Sequence, residues 1–327
     1  MSLIKAAIVY KAHVPTDAIA LHNHLAEKPF TPPMTLQMQS AGFVPPPGAE
    51  TGFSLVAEFA GGLAFAVRID EKIIPASVVR SRVDEEISQI KKNDGIKTIG
   101  KARRTEIRDQ VMATLLATAL VRTRAIITCF YHVERQHLMV STTSKKLADI
   151  CTSLLIQAVG SVKTETIHVS GVKHGLTTRL KHWLNVEAGE YSEPGNGEKS
   201  GFGEFQPVDN VALATSGEVR RKMAVSVGDL MINREGILEA IQRGFEVKSL
   251  GLATAAIAFR LTDDFQFKGI THQIDDESEY ESAWGGEAAI EIGNLSQAIE
   301  QMTEMFAYKE QAQEAAQEGQ DGEKEAA

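Results

Sequence analysis

The sequence predicts an α+β fold on three observations. Short apolar runs are paired by turn signals, as at Phe53 to Phe59 and Leu63 to Ile69, which flank Gly61-Gly62. Other segments repeat apolar residues every three or four positions, the period of a helix. Apolar residues make up 43% and charged residues 24%, the range of chains that build a packed core.

In chain order, Leu3 to Tyr10 reads as a first strand rather than a signal peptide, since no long apolar core or small-residue cleavage site follows. Thr16 or Asp17 caps a helix to about Lys28. Phe30 to Gly48 holds Pro32, Pro33, Pro45, Pro46 and Pro47, which forbid both helix and central strand. After the hairpin around Gly61-Gly62, Pro75 starts a helix whose Val79, Val83, Ile87 and Ile90 form one apolar stripe. Gly95 and Gly100 interrupt it, and a second helix runs from about Ala102 to Leu120, closing a helical hairpin. Ala125 to Val133 and His137 to Ser141 read as a second strand pair, followed by a helix from Ser144 to Gly160. A helix covers Leu176 to Val186, and the Gly/Glu/Ser-rich run Ala188 to Gly203 reads as an exposed loop. Strands are expected at Val211 to Ala214, Glu218 to Val225, and Val247 to Leu261 with a break near Gly251. Helices are expected at Glu235 to Arg243 and Asn294 to Tyr308, and 309–327 as a disordered acidic tail.

A length of 327 residues suits two or three packed subdomains. No apolar run is long enough to span a membrane. Cys129 and Cys151 sit in apolar contexts and read as buried thiols of a reducing cytoplasm. The net charge of −9 taken alone argues against a polyanionic partner. Its distribution argues the other way. From Gln89 to Arg124 the chain carries Lys91, Lys92, Lys97, Lys101, Arg103, Arg104, Arg108, Arg122 and Arg124 against Asp94, Glu106 and Asp109, a local excess of +6. The rest is acidic, notably Asp275 to Glu281 and the residues after Lys309. Local field decides where a polyanion sits.

Several chemistries lack their motifs. There is no GxxxxGK[ST], no GxGxxG after a strand and no GxSxG, so neither a phosphate-cradling loop nor a nucleophile elbow is expected. Recognition-helix, zinc-finger and RNP signatures are absent too. Two constellations remain. Asp70-Glu71-Lys72 fits a D-x-K pattern at a strand end, with Glu50 or Glu58 as a further ligand, and offers the alternative of a metal-dependent DNA nuclease using Asp70 and Lys72. The bland reading, a strand ending in charged turn residues, is preferred. Cys129, His132 and His137 are too loosely spaced for a structural zinc site, and His22 and His24 cannot face each other on a helix. No cofactor, no metal and no catalytic residue are expected.

Several separated segments resemble the RdgC family. They are Ile4-Lys5 through Val9-Tyr10, Phe30-Thr31-Pro32, Gly42-Phe43-Val44-Pro45-Pro46, Glu71-Lys72-Ile73-Ile74-Pro75, and Arg108-Asp109-Gln110-Val111 with Leu115-Leu116. The match covers about the first 160 residues best. The resemblance implies an elongated α+β chain of several subdomains with antiparallel sheets and a projecting helical hairpin. It implies a homodimer closed at two ends into a ring around double-stranded DNA, bound without sequence preference, in opposition to strand exchange by the RecA recombinase. The chain would then be cytoplasmic and nucleoid-associated. On this reading 1–74 and 125–187 form a central region, 75–124 the hairpin tip and 188–308 a second, base region. The DNA contacts would be Lys91, Lys92, Lys97, Lys101, Arg103, Arg104, Arg108, Arg122, Arg124, Arg220 and Lys222, with Arg221 on the opposite face of its strand. By the same resemblance Thr118 and Leu120 would stand at the outer dimer contact, at the tip, where family members carry Arg and Phe, and this departure bears on how tightly the ring would close.

Overall fold

The computed structural model describes residues 2–160, 165–166, 172–187, 201–215, 221–225, 230–273 and 284–325. Within them the chain runs β1 (Ala6–Lys11), α1 (Ala18–Leu25), β2 (Gln39–Val44), β3 (Val56–Phe59), β4 (Gly62–Ile73), α2 (Ala76–Asp94), α3 (Lys101–Thr118), β5 (Leu120–His132), β6 (His137–Val140), α4 (Lys145–Val159), β7 (Glu165–Thr166) and α5 (Val172–Glu187). It continues through β8 (Gln206–Thr215), β9 (Lys222–Val225), α6 (Arg234–Gln242), β10 (Phe245–Ala253), β11 (Ile257–Thr262), β12 (Gln266–His272) and α7 (Trp284–Glu325). The α+β class holds: seven helices accompany one large antiparallel sheet among the described residues.

The strands lie in the order β2-β4-β5-β6-β1-β12-β11-β10-β8-β9, with β3 beside β4 and β7 beside β1. Strand β1 is the seam between the two halves of the sheet. It pairs with β6 along one edge (Ile8 opposite Val140) and with β12 along the other (Ala6 opposite Lys268). Its side chains alternate between two cores, as strand geometry requires. Ile8 and Tyr10 join Phe43, Phe65, Val67, Cys129 and Tyr131 beneath Leu21 and Leu25 of α1 and Cys151 and Leu155 of α4. Ala7 and Val9 join Ala64, Phe130 and Met139 in the other core, which also takes in Ile292, Leu295 and Ile299 of α7 and Leu250, Phe259 and Phe267. With both faces covered, β4 is buried continuously from Gly62 to Val67, so its sequence reads as an apolar run without alternation.

The helical hairpin leaves this body between β4 and β5. Its own core is small: Ile87, Ile107 and Val111 are buried, with Val83, Ile90, Ile99 and Leu115 packed around them. Gly95 ends α2 in the left-handed region (φ 67°), which a residue with a Cβ would adopt only with strain.

Several elements differ from expectation: β2 forms inside the Pro-rich connection, as an edge strand and not a central one, and β12 has no counterpart among the expected strands. The second hairpin helix stops at Thr118 and Leu120 opens β5, which pairs back to Ile73. The first residues of that strand are exposed, so no buried face marks them in the sequence. Gly251 lies inside β10 beside an irregularity in register, and the reversal comes later, where Thr254 closes a turn with its N–H on the Ile257 carbonyl at 2.8 Å. The last helix starts at Trp284 rather than Asn294 and continues to Glu325, where a disordered tail was expected from residue 309. Ala, Gln, Glu and Lys dominate that extension and all favour helical backbone without needing an apolar stripe. Most of the loop expected at Ala188 to Gly203, the start of the strand expected at Glu218, and the acidic run Asp275 to Glu281 lie outside the described residues.

Candidate nucleic-acid interface

The hairpin gathers cations at its free end. Lys91 and Lys92 occupy the last turn of α2, where cations meet the negative end of the helix dipole. Lys97 lies in the connecting turn and Lys101 opens α3. Lys101, Arg104 and Arg108 recur at three and four residues and so share one face of α3. All but half-buried Lys91 are exposed. Among the described residues, no carboxylate lies within ion-pair distance of Lys91, Lys92, Lys97, Lys101, Arg104 or Arg108. Arg103 turns away from this set and pairs with Glu106 one turn on, at 2.6 Å.

The other two arginines of the basic segment do different work. Arg122 and Arg124 sit on the first residues of β5 and share one carboxylate, Glu71 of β4, with Arg124 at 2.9 Å. The Arg122 hydrogen bond, more than its charge or that of Arg124, holds the Glu71 carboxyl below its ordinary value. These residues brace the root of the hairpin and lie far along the chain from its turn.

The D-x-K segment belongs to the same brace. The sequence places it at a strand end, but β4 runs on to Ile73, so Asp70 and Lys72 share one face of a continuing strand and Glu71 the other. Both oxygens of buried Asp70 accept from Arg68, at 2.9 Å each, and Arg68 also donates to Thr123 across the strand pair. That hydrogen bonding holds the Asp70 carboxyl below its ordinary value against the opposing effect of burial. Lys72 is buried, and its Nζ donates to three carbonyls: Met34 at 2.8 Å, Thr35 at 2.6 Å and Leu116 at 2.8 Å. Leu116 lies in the final turn of α3, whose exposed carbonyls are short of donors. One ammonium thus ties the Pro-rich connection and the end of α3 to β4. Asp70 and Lys72 are thus both engaged within the chain. Among the described residues, no group of His, Cys, Asp and Glu is arranged to hold a metal.

Thr118 and Leu120 stand at this root rather than at the hairpin turn. Leu120 is 78% exposed opposite Ile73, beside exposed Val121. Met34, Leu36 and Met38, also exposed, lie on the connection that Lys72 holds, so the root wears an apolar collar. Lys222 is exposed on β9, at the far edge of the sheet from the hairpin. Arg220 lies outside the described residues.

The remaining motif residues are structural. Cys129 and Cys151 are free and buried, and their mutual contact together with burial pushes the Cys129 thiol up. His137 is buried and shares a 2.9 Å hydrogen bond with Ser296 of α7. Burial is the main reason its pKa is lowered to about 4, and the neighbouring His132 adds to it. His22 accepts the Leu55 N–H at 3.1 Å through Nδ1. Sequence reasoning missed the Lys72 and Glu71 braces. The only signal for them was the charged triplet itself, which fits a turn or a metal site equally well.

A long antiparallel sheet with a cation-bearing helical hairpin defines the class of protein at hand, an α+β chain with one projecting element. Comparison with known proteins places it more closely. The family described as "Putative exonuclease, RdgC" matches residues 3–309. The "Recombination-associated protein RdgC" of Neisseria meningitidis serogroup C (strain 053442) is 26% identical over 284 residues, 86% of this chain and 87% of that protein. The protein of the same name from Pseudomonas paraeruginosa (strain DSM 24068 / PA7) is 26% identical over 294 residues, 89% of this chain and 88% of that one. The chain belongs to the RdgC family. No helix among the described residues is long and apolar enough to cross a membrane.

Proposed function

We propose that this protein binds double-stranded DNA without sequence preference and restrains RecA-type strand exchange by occupying the duplex. The observation that carries the reading is the hairpin end. Within a chain of net charge −9, Lys91, Lys92, Lys97, Lys101, Arg104 and Arg108 cluster around one projecting turn with no carboxylate partner among the described residues. Cations so placed displace the counterions condensed on a duplex, and the released ions supply much of the affinity. Contacts to phosphate position a protein but read no bases. The name its relatives share ties them to recombination.

The active form in this reading is a homodimer closed into a ring, with cations on the inner wall and the acidic surface outside. Leu120, Ile73, Val121 and the neighbouring methionines supply an apolar surface that a second copy would cover at one closure, even with Leu in place of Phe. Lys222, and Arg220 beside it in sequence, are proposed as contacts contributed by the other half. The site of action in this reading is the cytoplasm, at the nucleoid.

Salt-titrated binding tests it. The six hairpin cations predict a log–log slope of about −5 per protomer, and replacing Lys101, Arg104 and Arg108 together by Gln should reduce that slope by about three per protomer and weaken all sequences alike. Unchanged affinity and slope in that variant would remove the hairpin from the interface. Plasmid cleavage with magnesium or manganese, abolished by Asp70→Ala, would replace binding by nuclease action as the function.

A further inference from the structure

A pocket of about 680 Å³ opens where the start of α1, residues 48–51, β3 and the first turn of α7 meet. The DNA-binding reading makes no use of it. Its lining is partly apolar: Val56 and Ala57 of β3 are buried, and Trp284, half-buried, is stacked on Phe130 at its back. Ile19 of α1 adds an aliphatic wall and is 72% exposed. Two carboxylates, Glu50 and Glu58, line the same pocket. Both are exposed, and neither takes part in an ion pair among the described residues.

Beside the pocket the chain turns sharply. The Ser54 N–H donates to the Thr51 carbonyl at 3.0 Å, and Gly52 takes the left-handed conformation (φ 60°). The turn leaves Phe53 wholly in water, 101% exposed, between two residues that line the pocket.

These features together select a ligand. The side chain of Arg or Lys lays its methylenes on apolar surface and keeps its cationic head among polar groups. An apolar lining with two unpaired carboxylates matches both parts, and an indole ring adds attraction for the head. His22 accepts the Leu55 N–H on Nδ1 at 3.1 Å, so in the neutral ring the proton sits on Nε2, a donor suited to a peptide carbonyl. Phe53 and Ile19 are anchors for apolar residues on either side of the base. The same carboxylates repel a polyanion, so the pocket is not a second place for DNA. We infer that it docks a segment of a partner protein in which an Arg or Lys is flanked by apolar residues, and that it does so independently of the hairpin.

Random dodecapeptides displayed on phage and panned against the full-length protein test this. Enriched sequences should carry Arg or Lys next to aliphatic or aromatic residues. A synthetic peptide of the enriched sequence should shift the emission of Trp284, read in a Trp183→Phe background because the chain has 2 tryptophans. Changing Glu50 and Glu58 together to Gln should weaken that peptide about tenfold, and so should replacing its base by citrulline or norleucine. Phe53→Ser should weaken it by about threefold to tenfold. The denaturation midpoint and the affinity for duplex should stay as they are in the unaltered chain. Peptides that lack a base, bind the Gln variant equally well or leave Trp284 emission unmoved would overturn the proposal, as would a library from which nothing is enriched. A loss of duplex affinity in the Gln variant would give the pocket to DNA instead. A dimer seen by sedimentation in the unaltered chain and dissolved by Phe53→Ser would give this face to a second copy, and the partner segment would fall.

Discussion

The sheet body and the helical hairpin are built on opposite principles. The body buries apolar residues on both faces of its strands, and its cores interlock through alternate residues of β1. The hairpin buries only Ile87, Ile107 and Val111 and devotes its surface to charge. A helical pair with so small a core has little stability of its own, since short isolated helices are marginal in water. Its position is set at the root by polar contacts: the Lys72 ammonium on three carbonyls, the Arg68–Asp70 pair, and Glu71 between two arginines. Apolar packing fixes the body, and hydrogen bonding aims the lever.

The contrast can be broken hardest in the body. Phe130 is fully buried, stacked on Trp284 at 6.3 Å and edge-on to Phe59 at the same distance. Phe130→Ala should cost about 4 kcal/mol, read as a large fall in the denaturation midpoint with cooperative unfolding retained. At the root, Lys72→Met should cost about 2–3 kcal/mol, because three carbonyls lose a charged donor. Its signature is local: hydrogen exchange should accelerate in α2, α3 and the Pro-rich connection while the strands keep their protection. A loss spread evenly over the sheet would mean that the hairpin and the body are not separable.

A smaller effect comes from pH. His137 in the body has its pKa lowered from 6.5 to about 4, mainly by burial. The unfolded chain binds this proton first as the pH falls below 6.5, so the body should lose stability progressively from there down to about 4. His137→Gln, which can keep a hydrogen bond to Ser296, should flatten that part of the profile. The smallest effect belongs to Arg122, more than half exposed, whose carboxylate partner Glu71 keeps a second arginine. Arg122→Ala should leave thermal stability almost unchanged, in keeping with the modest worth of exposed ion pairs.

The same contrast explains what could be read from the sequence. Val83, Ile87 and Ile90 recur on one face of a helix, so the hairpin announces itself, as do β1, α1 and α4. The basic end of the hairpin is visible as a charge excess. What escapes is whatever depends on distant partners. Arg122 and Arg124 count as free cations until Glu71 is placed across the strand pair. Lys72 reads as a surface residue until the end of α3 and the Pro-rich connection close over it. The reach of β5 back to Leu120 leaves no trace, because neither face of its first residues is buried. The pairing of β1 with β12 is equally silent, since two apolar strands name no partner.

That seam has a consequence for how the molecule comes into being. Strand β1 leaves the ribosome before both of its partners and can engage β6 as soon as His137–Val140 has emerged, yet its second edge waits for Gln266–His272. The buried Glu291 carboxylate that receives the Leu3 and Ile4 N–H groups, at 2.9 and 3.1 Å, arrives later still. During synthesis the nascent chain therefore carries a half-zipped strand with an open edge, a form prone to mispairing with neighbouring chains. Completion of the sheet therefore waits on elongation through β12 and Glu291.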